Sequence, residues 1–238
     1  MKAIIFSAGL GTRFKPWTDQ HPKALALVNG KTLLQRNIEY LQQYGITDVV
    51  VNVHHFPDQI IEAIKANKGW GSNIAISNES SEVLETGGGL LKAQHFFKDD
   101  ERFLSINVDV LTDLNLNEFI NAHNARLPLV SFAVSQRSSS RNILLNSAHR
   151  MCGWKNNNTG EERIVIPQEN LQPYAYSCVV MYESNIFKNI TQTGKFSVME
   201  TFLQLAPQHF ITGYIHSGDK WVDVGRPESV AVAKSMFA

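Results

Sequence analysis

The stretch KAIIFSAGLGTRFKP, residues 2–16, decides how the rest of the chain is read. Its apolar run AIIF suits a strand with both faces buried in the middle of a sheet, and the run breaks at Ser7 into a segment holding two glycines and an arginine. In an open α/β sheet, ligands sit beyond the carboxyl ends of the strands. A glycine at such an end carries no Cβ, so backbone N–H groups can approach phosphate oxygens closely. Gly9 and Gly11 offer that approach, and Arg13 adds a permanently charged, bidentate contact.

Working outward, the same alternation repeats. TLLQRNIEYLQQYG places Leu33, Leu34, Ile38 and Leu41 on one helical face and ends at Gly45. TDVVVNV is a second buried strand, and PDQIIEAIKANKG is a helix with Pro57 in its first turn. NIAISN, RFLSINVDV and LPLVSFAVS continue the strands; GGLLKAQHFF and LNEFINAHNA supply helices between them, with Asp113 expected to cap the latter. This rhythm over 1–136 predicts an α/β domain with a mostly parallel sheet flanked by helices. After residue 136 the pattern changes to a hairpin (RNILLN, HRMCGWK), a long strand (YAYSCVVMY), short helices, the strand FITGYIH and a closing helix RPESVAVAKSMF. The chain is therefore expected to be one domain, 1–238, whose second half, 137–238, completes the sheet begun by the first.

Bulk properties narrow the function. With 22 basic and 22 acidic residues the chain has no basic excess, so nucleic acid is not an expected partner. No apolar run approaches the roughly 20 residues that span a bilayer, and residues 1–10 show no charged segment leading into a long apolar one; a cytoplasmic location is expected. Cys152 and Cys178 have neither disulfide-framework nor metal-site spacing, and no matched histidine marks Cys178 as a nucleophile. His54 and His55 are neighbours on a strand exit and should point to opposite sides, and Trp154 and Trp221 read as packing residues.

The glycine loop is not a Walker loop, since no Gly-Lys-Ser/Thr follows it. Nor is it a dinucleotide fingerprint: Phe14 stands where the third glycine belongs, and Lys31 and Thr32 replace the acidic residue about 20 positions on. Lys23, behind the proline turn of HPKAL, adds a second cation to the segment and points to a polyphosphate.

At this point GLGTRFKPWTDQHPKAL resembles the signature of the sugar-1-phosphate nucleotidyltransferases, and LETGGGL, NVDVLTD and WVDVGRPE extend the similarity, in order, along the chain. The resemblance implies a Rossmann-like, GT-A-like α/β fold with a small C-terminal sugar-binding subdomain, and nucleotidyl transfer from a nucleoside triphosphate to a sugar 1-phosphate. It implies that Ala8, Gly9, Gly11 and Thr12 line the nucleotide, that Arg13 grips the β- and γ-phosphates, and that Lys23 lies near the α-phosphate and the incoming sugar phosphate. Thr86 and Gly87 would lie against base and ribose, with the following helix's N-terminus facing the ligand, and Glu79 would help read the base. Asp109 and Asp223 would hold Mg²⁺, a hard cation suited to carboxylates and substrate phosphates.

The departures concern the sugar. Asn107 and Ser177 would lie near it, but Val108 and Cys178 stand where relatives have glycine. The Glu-Lys-Pro lysine that holds the sugar phosphate in many relatives is missing, and Arg141 is a substitute suggested by position. LETGGG resembles the N-acetylmuramate-1-phosphate uridylyltransferases; the guanylyl branch acting on mannose 1-phosphate, whose version reads Leu-Gly-Thr-Ala-Gly, is the second reading. A nucleotide-sugar sensor without turnover is the third, and retention of Arg13, Lys23, Asp109 and Asp223 argues against it.

Overall fold

The computed structural model describes residues 1–97 and 102–237. In chain order the elements are β1 (Lys2–Phe6), β2 (Leu27–Val28), β3 (Lys31–Thr32), α1 (Leu33–Gln42), β4 (Asp48–Val53), α2 (Pro57–Ala66), β5 (Asn73–Asn78), α3 (Glu85–Lys92), β6 (Arg102–Asn107) and β7 (Val110–Thr112). They continue as α4 (Leu116–Arg126), β8 (Val130–Ser135), β9 (Arg141–Leu145), β10 (Met151–Asn156), β11 (Glu162–Ile164), β12 (Gln172–Glu183), α5 (Val198–Leu205), β13 (Ile211–Ile215), β14 (Trp221–Asp223) and α6 (Pro227–Met236).

Helix starts follow local chemistry. The Thr32 hydroxyl accepts from the Gln35 N–H at the start of α1, and Gly45, at φ +72°, follows its end. Pro57 opens α2. The expected cap of α4 is corrected: Asn115 accepts from the N–H groups of Asn117 and Glu118, while Asp113 Oδ1 accepts from the Lys220 N–H at 2.6 Å. Asp113 thus joins two chain segments instead of capping a helix.

The main sheet runs β11-β10-β9-β12-β6-β1-β4-β5, with β8 joining β12 to β13. Strands β6, β1, β4 and β5 are mutually parallel, as their alternation with helices requires. The long strand β12 then lies antiparallel to β6, β8 and β9, so both halves of the chain share one sheet. Successive residues of β1 serve opposite faces: Ile5 joins the core under α1, α2, α4 and α6, while Ile4 and Phe6 join the one under α3 and α5. Both faces of the opening apolar run are therefore buried. Among the described residues no helix is long and apolar enough to cross a membrane.

Candidate active site

The carboxyl ends of β1, β4 and β6 open on a cavity of about 430 Å³. Ala8, Gly9, Gly11, Thr12, Lys23, Thr86, Asn107 and Asp109 all stand on its wall. Gly11 takes the left-handed conformation (φ +63°), and its carbonyl is held by the Phe14 N–H (2.8 Å) and the Thr18 hydroxyl (2.9 Å). The N–H groups of Gly9 to Thr12 have no partner among the described residues, which leaves a row of backbone donors for an anion. Beneath them the Ser7 N–H donates to Asn52 Oδ1, and Asn52 Nδ2 donates to Glu79 Oε1.

Glu79 itself has no exposed surface, and burial raises its carboxyl pKa. It therefore supports the loop from behind, and its expected contact with a base is corrected. The two histidines separate as expected, His54 bonding the Glu79 carbonyl and His55 the Thr18 carbonyl.

The two acidic residues are brought together by a ladder that their sequence spacing does not reveal. β7 pairs antiparallel with β14, setting Asp223 opposite Val110, and the Val224 N–H donates to the Asp109 carbonyl at 2.7 Å. Lys23 forms a mostly buried ion pair with Asp109. Arg13 reaches Asp223 at 3.8 Å, and a Cβ on Gly225 would come 2.6 Å from Asp223 Oδ1 and 2.7 Å from Arg13 Nη2. Gly225 is thus needed for that approach, and WVDVG carries the signal for it.

Burial, then the neighbouring charge of Asp109, raise the Asp223 carboxyl above its ordinary value, while Arg13, Lys23 and the Gly225 N–H oppose the rise. Asp223 keeps 41% of its side-chain surface, so the burial acts on one oxygen: Oδ1 is shut from solvent without a hydrogen-bond partner. Two neighbouring carboxylates, one with an oxygen shut from solvent, fit a divalent cation. Among the described residues no cluster of three or more His, Cys, Asp or Glu forms, so the protein would offer such an ion two carboxylates.

The glycine-rich stretch after Leu84 departs from expectation. Gly87, Gly88 and Gly89 lie inside α3, and the N–H groups of Gly87 and Gly88 donate to the Phe196 carbonyl. Two of the first-turn donors are thus engaged by the chain itself, and Gly87 packs on Phe196, while the first residues of the helix, Glu85 and Thr86, border the cavity. Thr86 does line the cavity, with its hydroxyl accepting from the Val198 N–H. Glu85, at φ +59°, and Lys195, paired with it at 3.7 Å, complete the wall. Neither was legible in the sequence, because Lys195 comes from a segment without a phosphate motif.

A second cavity of about 250 Å³ adjoins the first and shares Phe6, Thr86 and Asn107 with it. Arg141, Asn142, Trp154 and Tyr176 are on its wall, and Trp154 also packs against the core, as expected. The Arg141 guanidinium has no partner among the described residues. Ser177 is corrected: it is wholly buried, its hydroxyl engaged by Arg137 and His216, and it lines neither cavity. Cys178 sits at φ +59° on a β12 bulge, a conformation that favours glycine, and burial pushes its thiol pKa up.

Known proteins are similar to this chain in sequence and in fold. Residues 2–142 match the family model described as nucleotidyl transferase. The chain is 29% identical over 232 residues to an N-acetylmuramate alpha-1-phosphate uridylyltransferase of Neisseria meningitidis serogroup B, covering 94% of this chain and 93% of that protein. It is 30% identical to a mannose-1-phosphate guanyltransferase of Yarrowia lipolytica, covering 96% of this chain but 61% of that protein. The fold matches that of HddC from Yersinia pseudotuberculosis with a TM-score of 0.79, 20% identity and coverage of 100% and 99% of the two chains.

Proposed function

The chain belongs to the nucleotidyl transferase family, and from that premise we propose that it joins UTP and N-acetylmuramate 1-phosphate to give the nucleotide sugar and pyrophosphate. Sugar-1-phosphate nucleotidyl transfer is the activity of its relatives; base and sugar are the finer reading. The observation that carries the proposal is the pair of joined cavities, one floored by free backbone donors and two charge centres, the other walled by aromatic rings and an unpaired guanidinium. Glu85 in place of the glycine of Leu-Gly-Thr-Ala-Gly, the near-complete overlap with the Neisseria relative and an arginine facing an acidic sugar favour the uridylyl branch over mannose.

The chemistry needs no general base. A phosphate monoester with a second pKa near 6 is already mostly dianionic at neutral pH. An oxygen of the sugar phosphate attacks the α-phosphorus in line, the new P–O bond forms, and the bond to the β-phosphate oxygen breaks as pyrophosphate leaves with its electron pair. The protein's contribution is positioning and charge. The Gly9–Thr12 donors hold phosphate oxygens, Arg13 takes the outer phosphates, and Lys23 offsets the repulsion between the two approaching anions. Asp109 and Asp223 would hold Mg²⁺, which when bound would neutralise phosphate charge.

Incubation with each nucleoside triphosphate, a panel of sugar 1-phosphates and Mg²⁺, followed by pyrophosphate release, tests the reading. Release is expected with UTP and N-acetylmuramate 1-phosphate. Release only with GTP and mannose 1-phosphate overturns the substrate choice, and none with any pair overturns turnover itself. Asp109→Asn should lower kcat by about 10³-fold while keeping the fold.

A further inference from the structure

The bulge of β12 is held by side chains from three other segments. Arg137, just beyond β8, donates from Nη1 to the Ser135 hydroxyl (2.7 Å), the Ser177 hydroxyl (3.0 Å) and the Ala175 carbonyl (3.3 Å), and from Nη2 to the Tyr176 carbonyl (2.6 Å). Its guanidinium lies 3.5 Å from the centroid of the Trp221 ring, and the Trp221 indole N–H donates to the Ser177 carbonyl at 3.0 Å. Ser177 Oγ meets His216 Nε2 at 2.8 Å, and His216 Nδ1 meets Asp219 at 3.0 Å.

Serine, histidine and aspartate in that order have the spacing of a hydrolytic triad. They cannot act as one. Ser177 has no exposed surface, and Arg137 donates into its oxygen. Burial lowers the His216 pKa against the pull of Asp219, so the neutral ring accepts from Ser177 and donates to Asp219. The whole chain of bonds serves to hold the bulge.

The bulge matters because of what Trp221 is attached to. Trp221 and Asp223 lie two residues apart on β14 and so share a face of that strand. β14 and its partner β7 are three residues each and form a two-stranded sheet of their own. So short a ladder is marginal by itself and needs packing on a larger body to hold a fixed position. Leu111 of β7 and Val222 and Val224 of the β14 segment pack into the core that includes α1 and α6, while the stack on Arg137 and the indole bond to Ser177 tie β14 to the main sheet two residues from the carboxylate. A planar fork can bond several carbonyls and stack on an indole at once, which a lysine cannot. Arg137 has no carboxylate within 4.0 Å among the described residues, so its partners are the bulge and the indole.

We infer that Arg137 is a positioning residue for the metal-binding pair: fastened to the β12 bulge, it seats Trp221 and so holds Asp223 against Asp109. The inference rests on the reading of Asp109 and Asp223 as ligands of a divalent ion.

Mn²⁺ binding to the nucleotide-free protein, followed by the paramagnetic resonance of free Mn²⁺, tests it without turnover. Arg137→Ala and Trp221→Leu should weaken Mn²⁺ about tenfold to a hundredfold, the usual effect of removing a group that orients a ligand. Both should lower kcat and leave the nucleotide KM unchanged. Trp221→Phe, which keeps a ring for the stack, should stay within a few-fold of the parent. Arg137→Lys, which keeps the charge without the fork, should fall near Arg137→Ala, and it carries the test if Arg137→Ala does not fold. Lowered Tm with unaltered Mn²⁺ affinity in Arg137→Ala and Arg137→Lys would overturn the inference while leaving the metal pair standing. Unaltered Mn²⁺ affinity in Asp223→Asn would overturn the metal pair, and the inference with it.

Discussion

Two glycine-rich segments border the same cavity and work in opposite ways. At Gly9 an added Cβ would meet nothing within 4 Å, and the Gly9–Thr12 N–H groups are free. At Gly88 an added Cβ would run into the Gly194 carbonyl, and at Gly89 it would come 2.7 Å from Glu79 Oε1 and 2.9 Å from Asn52 Nδ2. The first segment stays bare so that something outside the chain can come close. The second stays bare so that the 194–198 segment and the Glu79–Asn52 pair can come close. A run of glycines announces a close approach, and only the fold says what approaches.

Substitutions can break or sharpen this contrast. Gly88→Ala should have the largest effect on stability. Helix propensity favours alanine by about 1 kcal/mol, yet the obstacle is backbone, and overpacking should leave a net loss of about 2 kcal/mol in denaturant unfolding. A stable Gly88→Ala protein would mean that the 194–198 segment is not seated on α3. Gly11→Ala should cost about 1–2 kcal/mol, since its left-handed φ is unfavourable for any Cβ and that Cβ would come 2.8 Å from Thr18 Cγ2; nucleotide KM should rise as well. Cys178→Gly tests the converse, a left-handed position without its glycine: relief of strain less the entropy of the unfolded chain should stabilise by about 0.5 kcal/mol. Gly9→Ala should have the smallest effect, with stability within about 0.5 kcal/mol and a several-fold rise in nucleotide KM. An unchanged KM there would remove Gly9 from the nucleotide's path.

The pH behaviour of Asp223 bears on the ladder that sets it beside Asp109. Because the folded-state pKa of Asp223 is raised, its ionisation opposes folding: stability is lost as pH climbs from the unfolded value towards the folded one. Asp223→Asn should therefore unfold at a higher temperature than the parent in metal-free neutral buffer. The gap should close as the buffer is acidified below the ordinary aspartate pKa, and differential scanning at both pH values checks it.

Much of the site was legible in the chain because its chemistry is local. Ala8, Gly9, Gly11 and Thr12 are consecutive or nearly so, and Lys23 follows on the same segment, so the cavity wall they form could be read from spacing. Glu79 and Ser177 misled for one shared reason. Each is a polar residue, Glu79 just past the end of β5 and Ser177 at the β12 bulge, whose hydrogen bonds could go to a ligand or to the protein, and both are buried with partners inside the protein. Asp113 was assigned to the nearest helix start, yet its partner came from Lys220, far along the chain. Trp154 packs against the core as read, but a sequence does not say which side of a half-covered strand is open, and so its place on a cavity wall was not legible.

By itself the sequence determined the alternation of strands and helices, the buried opening strand and the bare glycine loop at its end, because apolar periodicity and glycine's missing side chain act within a few residues. The tertiary structure decided the rest. It paired β7 with β14 to bring Asp109 beside Asp223, turned the second glycine run toward its own protein, and seated Trp221 on Arg137. Those outcomes depend on contacts between segments a hundred residues apart, and such contacts are chosen by packing and by the need to partner every buried polar group, which no local pattern records.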